Sequence, residues 1–264
     1  MRFTILTPTY NRARHLGEAY RSLCAQTFHD FEWVIVDDGS TDGTPELVST
    51  WKPFFPIRYI WKPNGGKHTA VNIGVEKAAG EFIAILDSDD RCVANALERL
   101  DYRWRQIPDP DRFANLVCLC CHEDGSVLGS PLPEDHMDVF TIWDCIALSD
   151  ADRWGIVRAD ILKKFRYPEF KNERFVLEGL VWNRIHKRYG TRFFNEPLRI
   201  AGYAAGGLTS EGDLRHSSPK GAVIYHSELA FSNAPIKIRL KSALNAARFS
   251  VVAAFREMRL LLEK

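Results

Sequence analysis

Phe82-Ile83-Ala84-Ile85-Leu86 holds no polar side chain, and the chain passes from it at once into Asp87-Ser88-Asp89-Asp90. A short, continuous apolar run of this kind predicts a strand covered on both faces, as parallel sheets require. Two earlier runs have the same shape. Phe3 to Thr7 stops at Pro8, and Phe31-Glu32-Trp33-Val34-Ile35-Val36 ends in Asp37-Asp38-Gly39-Ser40. Helical spacing fills the gaps: over 14–26 Leu16, Ala19, Tyr20 and Leu23 share a face, a second helix runs from Thr41 or Asp42 to about Trp51, and a third covers 68–79. Ile57 to Trp61 reads as a short strand between the last two. Alternation of this type predicts an α/β fold, a mostly parallel sheet flanked by helices. Ligands of open parallel sheets bind beyond the carboxyl ends of the strands, so Thr7-Pro8-Thr9, Asp37-Asp38 and Asp87-Ser88-Asp89-Asp90 are expected around one crevice.

The rest of the chain is less regular. Leu116 to Cys121 reads as a buried strand; the Cys118 and Cys121 pair lacks the second ligand pair that a zinc site needs. A stretch rich in Gly, Pro and acid covers 124–138, Trp154 to Val157 suggests a returning strand, 175–189 a helix and 193–198 another strand. Glycines among Ala, Ser and Thr make 202–219 an expected mobile loop that can close over a ligand. The final segment, 236–264, has the pattern of a long basic amphipathic helix. A net charge of +1 offers no global field for nucleic acid, so recognition must come from local patches. The N-terminus is interrupted too early for a secretory signal, and no apolar run approaches a membrane span. The six cysteines suit reduced, buried thiols, and a cytoplasmic location is expected, with peripheral contact at the inner face of a membrane.

Hard divalent cations such as Mn²⁺ or Mg²⁺ prefer carboxylate oxygens and keep substrate phosphates and waters as further ligands. Asp87 and Asp89, one residue apart at a strand end, can both reach one bound diphosphate. The order of motifs then carries a resemblance. Pro8-Thr9-Tyr10-Asn11, Val34-Ile35-Val36-Asp37-Asp38-Gly39-Ser40-Thr41-Asp42-Gly43-Thr44, Asn72-Ile73-Gly74, Ala79-Gly80-Glu81 and Leu86-Asp87-Ser88-Asp89-Asp90 follow one another over the first hundred residues. In this order and spacing the chain resembles family 2 glycosyltransferases. The resemblance implies a GT-A fold, a Rossmann-like sheet that binds a nucleotide-sugar such as a UDP- or GDP-sugar. It implies that Pro8, Thr9, Tyr10, Asn11, Asp37, Asp38, Asp87 and Ser88 line the nucleotide-sugar. Thr9 and Asp38 would touch base or ribose, Asp87 ribose or diphosphate, and Asp89 would ligate Mn²⁺ or Mg²⁺. Asp90 is a supporting residue. Gly65-Gly66-Lys67-His68 adds close backbone approach and a cation that offsets phosphate charge, and Asn72 on the following helix is in reach of the nucleotide. An exposed hairpin lysine is the plainer alternative for Lys67, as a turn is for Asp37.

Sugar transfer from a nucleotide needs a stabilised diphosphate and a base for the acceptor hydroxyl. Glu178, an acid within the apolar stretch Phe175 to Trp182, falls where related enzymes carry their catalytic carboxylate; Gly179 stands where many of them have Asp. A helix-terminal glutamate favoured by the dipole is its structural alternative. Asp150, Asp152 and Glu173 are reserve acids, and His216 is a candidate third metal ligand. The reading is a metal-dependent, inverting, hexosyltransferase-type enzyme of polysaccharide or cell-envelope glycan assembly, acting on a glycan or lipid-linked acceptor. Inversion is implied by the resemblance alone. Residues 1–230 would form the catalytic domain, with a nucleotide-binding half over 1–100 and an acceptor half over 101–230. Residues 231–264 would add a helix that lies on an anionic membrane or packs against its own domain or a partner. A nucleotidyltransferase and a non-catalytic nucleotide-sugar or glycan-binding protein are the rival readings.

Overall fold

A computed structural model describes residues 1–148, 152–202 and 214–262. The first half alternates as expected: β1 (Phe3–Thr9), α1 (Ala13–Cys24), β2 (Phe31–Asp37), α2 (Thr44–Ser49), β3 (Ile57–Trp61), α3 (Lys67–Lys77) and β4 (Phe82–Ile85). Every residue of β1 and β2 is buried, which is why neither shows a polar alternation. The second half contributes β5 (Arg91–Cys92), α4 (Ala96–Arg105), β6 (Phe113–Cys121), β7 (His136–Val139), α5 (Ile142–Ala147), β8 (Arg153–Arg158), α6 (Ala159–Leu162), α7 (Gly179–Ile185) and β9 (Gly190–Ile200). It ends in α8 (Leu214–Ser217), α9 (Pro219–Ala230) and α10 (Ile236–Leu262).

The strands form a single mixed sheet in the order β3-β2-β1-β4-β8-β6-β9-β5, with β7 on β9. β1 pairs in parallel with β2 on one side and β4 on the other, so the chain reverses its direction of travel across the sheet at β1. Such a switch point opens a crevice at the carboxyl ends of the two strands that flank it. Here those ends are Thr9 and Asp87. Antiparallel β8 joins β4 to β6, and β9 runs parallel to β6.

One apolar layer packs under α1 and α4, around Phe3, Trp33, Phe82 and Leu97; the other packs under α3 and α7, around Leu6, Val71, Ile83 and Leu180. The cysteine-rich run is β6, and Cys118, Cys120 and Cys121 are free, buried thiols. Burial pushes the Cys118 thiol well above its ordinary value, as an apolar surround disfavours the thiolate.

Three sequence expectations change. The helix over 175–189 shrinks to α7, because the amides of Arg174 and Phe175 donate to Ser218 Oγ and hold that segment out of helix. The end of the 202–219 segment is helical rather than loop, and Gly206-Gly207-Leu208-Thr209 and Asp150 lie outside the described residues. The 124–138 stretch ends in a strand, β7. Among the described residues no helix is long and apolar enough to cross a membrane.

Candidate active site

Lys67 opens α3, Asp87 follows β4, and Glu178 sits at the N-cap of α7. The structure joins them. Lys67 Nζ lies 2.9 Å from Asp87 Oδ1 and 2.9 Å from Glu178 Oε1. Burial alone would lower the Lys67 pKa, but the facing carboxylates of Glu178 and Asp87 hold it raised, so it stays a cation. The Glu178 side chain makes no capping hydrogen bond to its own helix, but it stands at the helix N-terminus, where the dipole favours an acid, as its alternative role required.

Glycine makes this meeting possible. Gly66 has φ +98, and a Cβ there would stand 1.9 Å from the Arg174 carbonyl oxygen. The loop before α3 thus lies directly on the loop before α7. Close approach was expected of Gly65 and Gly66, but the neighbours they admit are the protein's own: the Lys62 and Thr69 side chains at Gly65 and the Arg174 backbone at Gly66.

Asp38 builds that loop. It is 4% exposed, pairs with Lys62 Nζ at 2.5 Å, and accepts from the amides of Gly65 (2.8 Å) and Gly66 (2.7 Å). All the capacity used here is internal, so Asp38 shapes the site. Asp38→Ala is expected to cost about 3 kcal/mol in urea unfolding, since it strands Lys62 and frees two amides in a buried place. Asp37 has no exposed surface; it accepts from the Ser40 amide at 2.7 Å and from the Tyr59 hydroxyl. That is the turn role foreseen as its alternative.

The first motif is likewise divided. Pro8 lies within β1 opposite Val36. Thr9 is buried and its Oγ1 has no partner, an unspent polar atom at the switch point. Tyr10 is exposed. Asn11 adopts φ 52 and its Oδ1 accepts from the Thr41 amide at 2.8 Å, while its own amide donates to Ser40 Oγ at 2.8 Å. Asn11 therefore ties two loops together. Asn72 turns away from the crevice: its side chain donates to the Tyr167 carbonyl and Glu169, and accepts from the Tyr167 amide.

At the acidic turn Ser88 is buried and Asp90 is committed to Arg199 Nη1 at 2.9 Å and to the Gly202 amide at 2.9 Å. Burial raises Asp90 to about 6, although Arg199 pulls it down. Asp87 faces Lys67 with both carboxylate oxygens and is 38% exposed, so it and Asp89 are the acids of this turn within reach of a ligand. No group of three or more His, Cys, Asp or Glu gathers among the described residues. Two carboxylates fit a hard cation whose remaining ligands are phosphate and water. His216 faces elsewhere: its Nε2 is 3.0 Å from Arg248 Nη2 and its ring rests on Phe249. Of the reserve acids, Glu173 caps α9 through the amides of Lys220 and Gly221, and Asp152 pairs with Arg199.

Lys67, Asp87 and Glu178 also line a cavity of about 480 Å³ that extends between the sheet and α7, past Ile83, Trp154 and Val176. His68 and Asn183 are among its lining residues, and both ring nitrogens of His68 and Nδ2 of Asn183 are buried without partners. Burial lowers the His68 pKa, against the pull of Glu169 and Asp38, so the ring is neutral at pH 7. Sequence reasoning missed these two and missed Arg199. An arginine between the apolar Leu198 and Ile200 was the available signal for the last.

Residues 4–109 match the family model for glycosyl transferase family 2. An uncharacterised glycosyltransferase of Rickettsia felis is 43% identical over 95 residues, which is 36% of this chain and 16% of that protein. Glycosyltransferase GlyG of Streptococcus pneumoniae serotype 4 is 34% identical over 199 residues, 73% of this chain and 62% of that protein. This chain thus spans less than two thirds of either relative. Among solved structures, S. aureus TarS 1-349 in complex with UDP-GlcNAc superposes with a TM-score of 0.70 at 22% identity, over 94% of this chain and 71% of that one. The mannosyltransferase PcManGT from Pyrobaculum calidifontis, in complex with GDP-Man and Mn²⁺, gives 0.60 at 18% identity, over 97% and 75%. These likenesses show the GT-A fold. Through residues 4–109, and with that fold around them, the chain belongs to glycosyl transferase family 2.

Proposed function

We propose that the chain is a metal-dependent, inverting glycosyltransferase that moves a sugar from a nucleotide-sugar to an acceptor hydroxyl by single displacement. The observation that carries this reading is Lys67 held between Asp87 and Glu178 at the switch-point crevice. The first hundred residues supply the donor half. There exposed Tyr10 is open to base and ribose, beside the buried, unpaired Thr9 Oγ1. Residues 101–230 supply the acceptor half and, with Lys67, His68 and Asp87, line the cavity that includes Glu178. TarS with UDP-GlcNAc and PcManGT with GDP-Man support a UDP- or GDP-sugar donor.

Glu178 takes the proton of the attacking hydroxyl. Lys67 keeps that carboxylate placed, and its positive charge faces the departing diphosphate. Asp87 and Asp89 would hold Mn²⁺ or Mg²⁺, which when bound supplies further charge to the leaving group. A diphosphate leaves readily, so no acid is needed to protonate it. His68 and Asn183 give the apolar cavity polar anchors for a glycan or lipid-linked acceptor. Cell-envelope or polysaccharide assembly is the setting this acceptor class suggests.

Calorimetric titration with a panel of UDP- and GDP-sugars, with and without Mn²⁺, tests the reading. One donor should bind only with metal, and Asp89→Asn should weaken it by about a hundredfold, the scale expected for a direct ligand. Absence of binding by the folded protein to every donor would refute it. Pyrophosphate release from a nucleoside triphosphate would point instead to nucleotidyl transfer.

A further inference from the structure

We propose that the outer face of α10 docks on an anionic membrane surface. The structure splits this helix into two apolar faces. Ile238, Phe249 and Val252 turn inward, with Phe249 stacked on His226 of α9 at 5.8 Å. Ile236, Leu240, Leu244, Val251, Phe255 and Met258 are 50% to 74% exposed. Leu240 and Phe249 are nine residues apart, about two and a half turns, and so point in opposite directions. The outward residues recur at helical spacing and form one continuous stripe. At the turn before the helix Phe231 is 90% exposed, an aromatic ring with almost no protein around it.

Charge identifies the occupant. Lys237, Lys241, Arg248 and Arg259 lie along one flank of the stripe, four, seven and eleven residues apart, with Arg248 also reaching His216 of α8. Glu257 is the single acid between 236 and 262, and it is paired with Lys220 at 2.5 Å. A second copy packed antiparallel across a two-fold axis at Arg248 would set Lys237 against Arg259 and Arg248 against its own copy, like charge on like. A bilayer rich in acidic headgroups accepts both features: apolar side chains enter the acyl boundary while the cations meet phosphate. The helix would lie in the surface plane. It is coupled to the rest of the molecule through Lys220 and through Arg256, which donates to the Asn172 carbonyl at 2.8 Å.

Vesicle flotation of the whole chain tests this without any sugar donor, so its outcome is separate from that of the transfer reading. Vesicles of equal parts phosphatidylcholine and phosphatidylglycerol should carry the protein, and pure phosphatidylcholine should not. Salt should release the wild-type protein, a result that needs no variant. Lys237→Glu with Lys241→Glu should weaken binding by at least about thirtyfold. Leu244→Ser with Val251→Ser and Phe255→Ser should also lose binding, with the circular dichroism spectrum unchanged. Equal binding to neutral vesicles, insensitivity to salt or to both sets of substitutions, or a wild-type dimer that only the apolar set dissociates would each overturn the proposal.

Discussion

Glu178→Gln is expected to lower sugar transfer about a thousandfold while nucleotide-sugar affinity stays within about twofold. The substitution keeps the shape and an oxygen that can still accept from Lys67, 2.9 Å away in the wild type. What it removes is the ability to take a proton. The Lys67 cation is retained because Asp87 still faces it. Single-turnover transfer measured beside equilibrium donor binding separates the two effects. Full transfer activity in the variant would remove Glu178 from the mechanism, and equal loss of binding would make it a donor contact.

The second large effect is expected at Gly66→Ala. A methyl group there meets the Arg174 carbonyl oxygen at 1.9 Å and its carbon at 2.6 Å, both backbone atoms with no rotamer to escape into. The two loops must part, and Lys67 moves away from Glu178. Displacements near an ångström in a reacting constellation cost about a hundredfold in turnover, and the strain and crowding should cost about 2 kcal/mol in thermal unfolding. Gly125→Ala is the control. Gly125 has a similar φ of +84, but a Cβ there has nothing within 4 Å. It should show the backbone strain alone, with turnover intact.

The donor side of the fold was legible because β1, β2 and β4 are covered on both faces and run abruptly into polar residues. Apolar runs such as Phe82 to Leu86 have few other uses. The division of labour at those ends was not legible. Asp37 and Asp38 stand side by side, and nothing in their spacing tells that both are spent on loops while buried Thr9 Oγ1 has no partner. The Lys67–Glu178 contact joins residues more than a hundred positions apart, and its cause, the close approach of Gly66 to Arg174, is visible only in three dimensions. Periodicity found α10 but merged its faces. Ile238, Phe249 and Val252 are inward, whereas Leu240, Leu244 and Phe255 are outward; two opposed stripes sum to one broad amphipathic pattern in a sequence.

Asp90 bears on the order of events during synthesis. Its partners, Arg199 and the Gly202 amide, leave the ribosome over a hundred residues after it, and β5 beside it pairs only with β9. The nascent chain can therefore assemble β1 to β4 early, with the acidic turn still untethered. Closure of that turn waits for the last strand, so a stalled or truncated product that folds its first half would still lack a finished acidic turn.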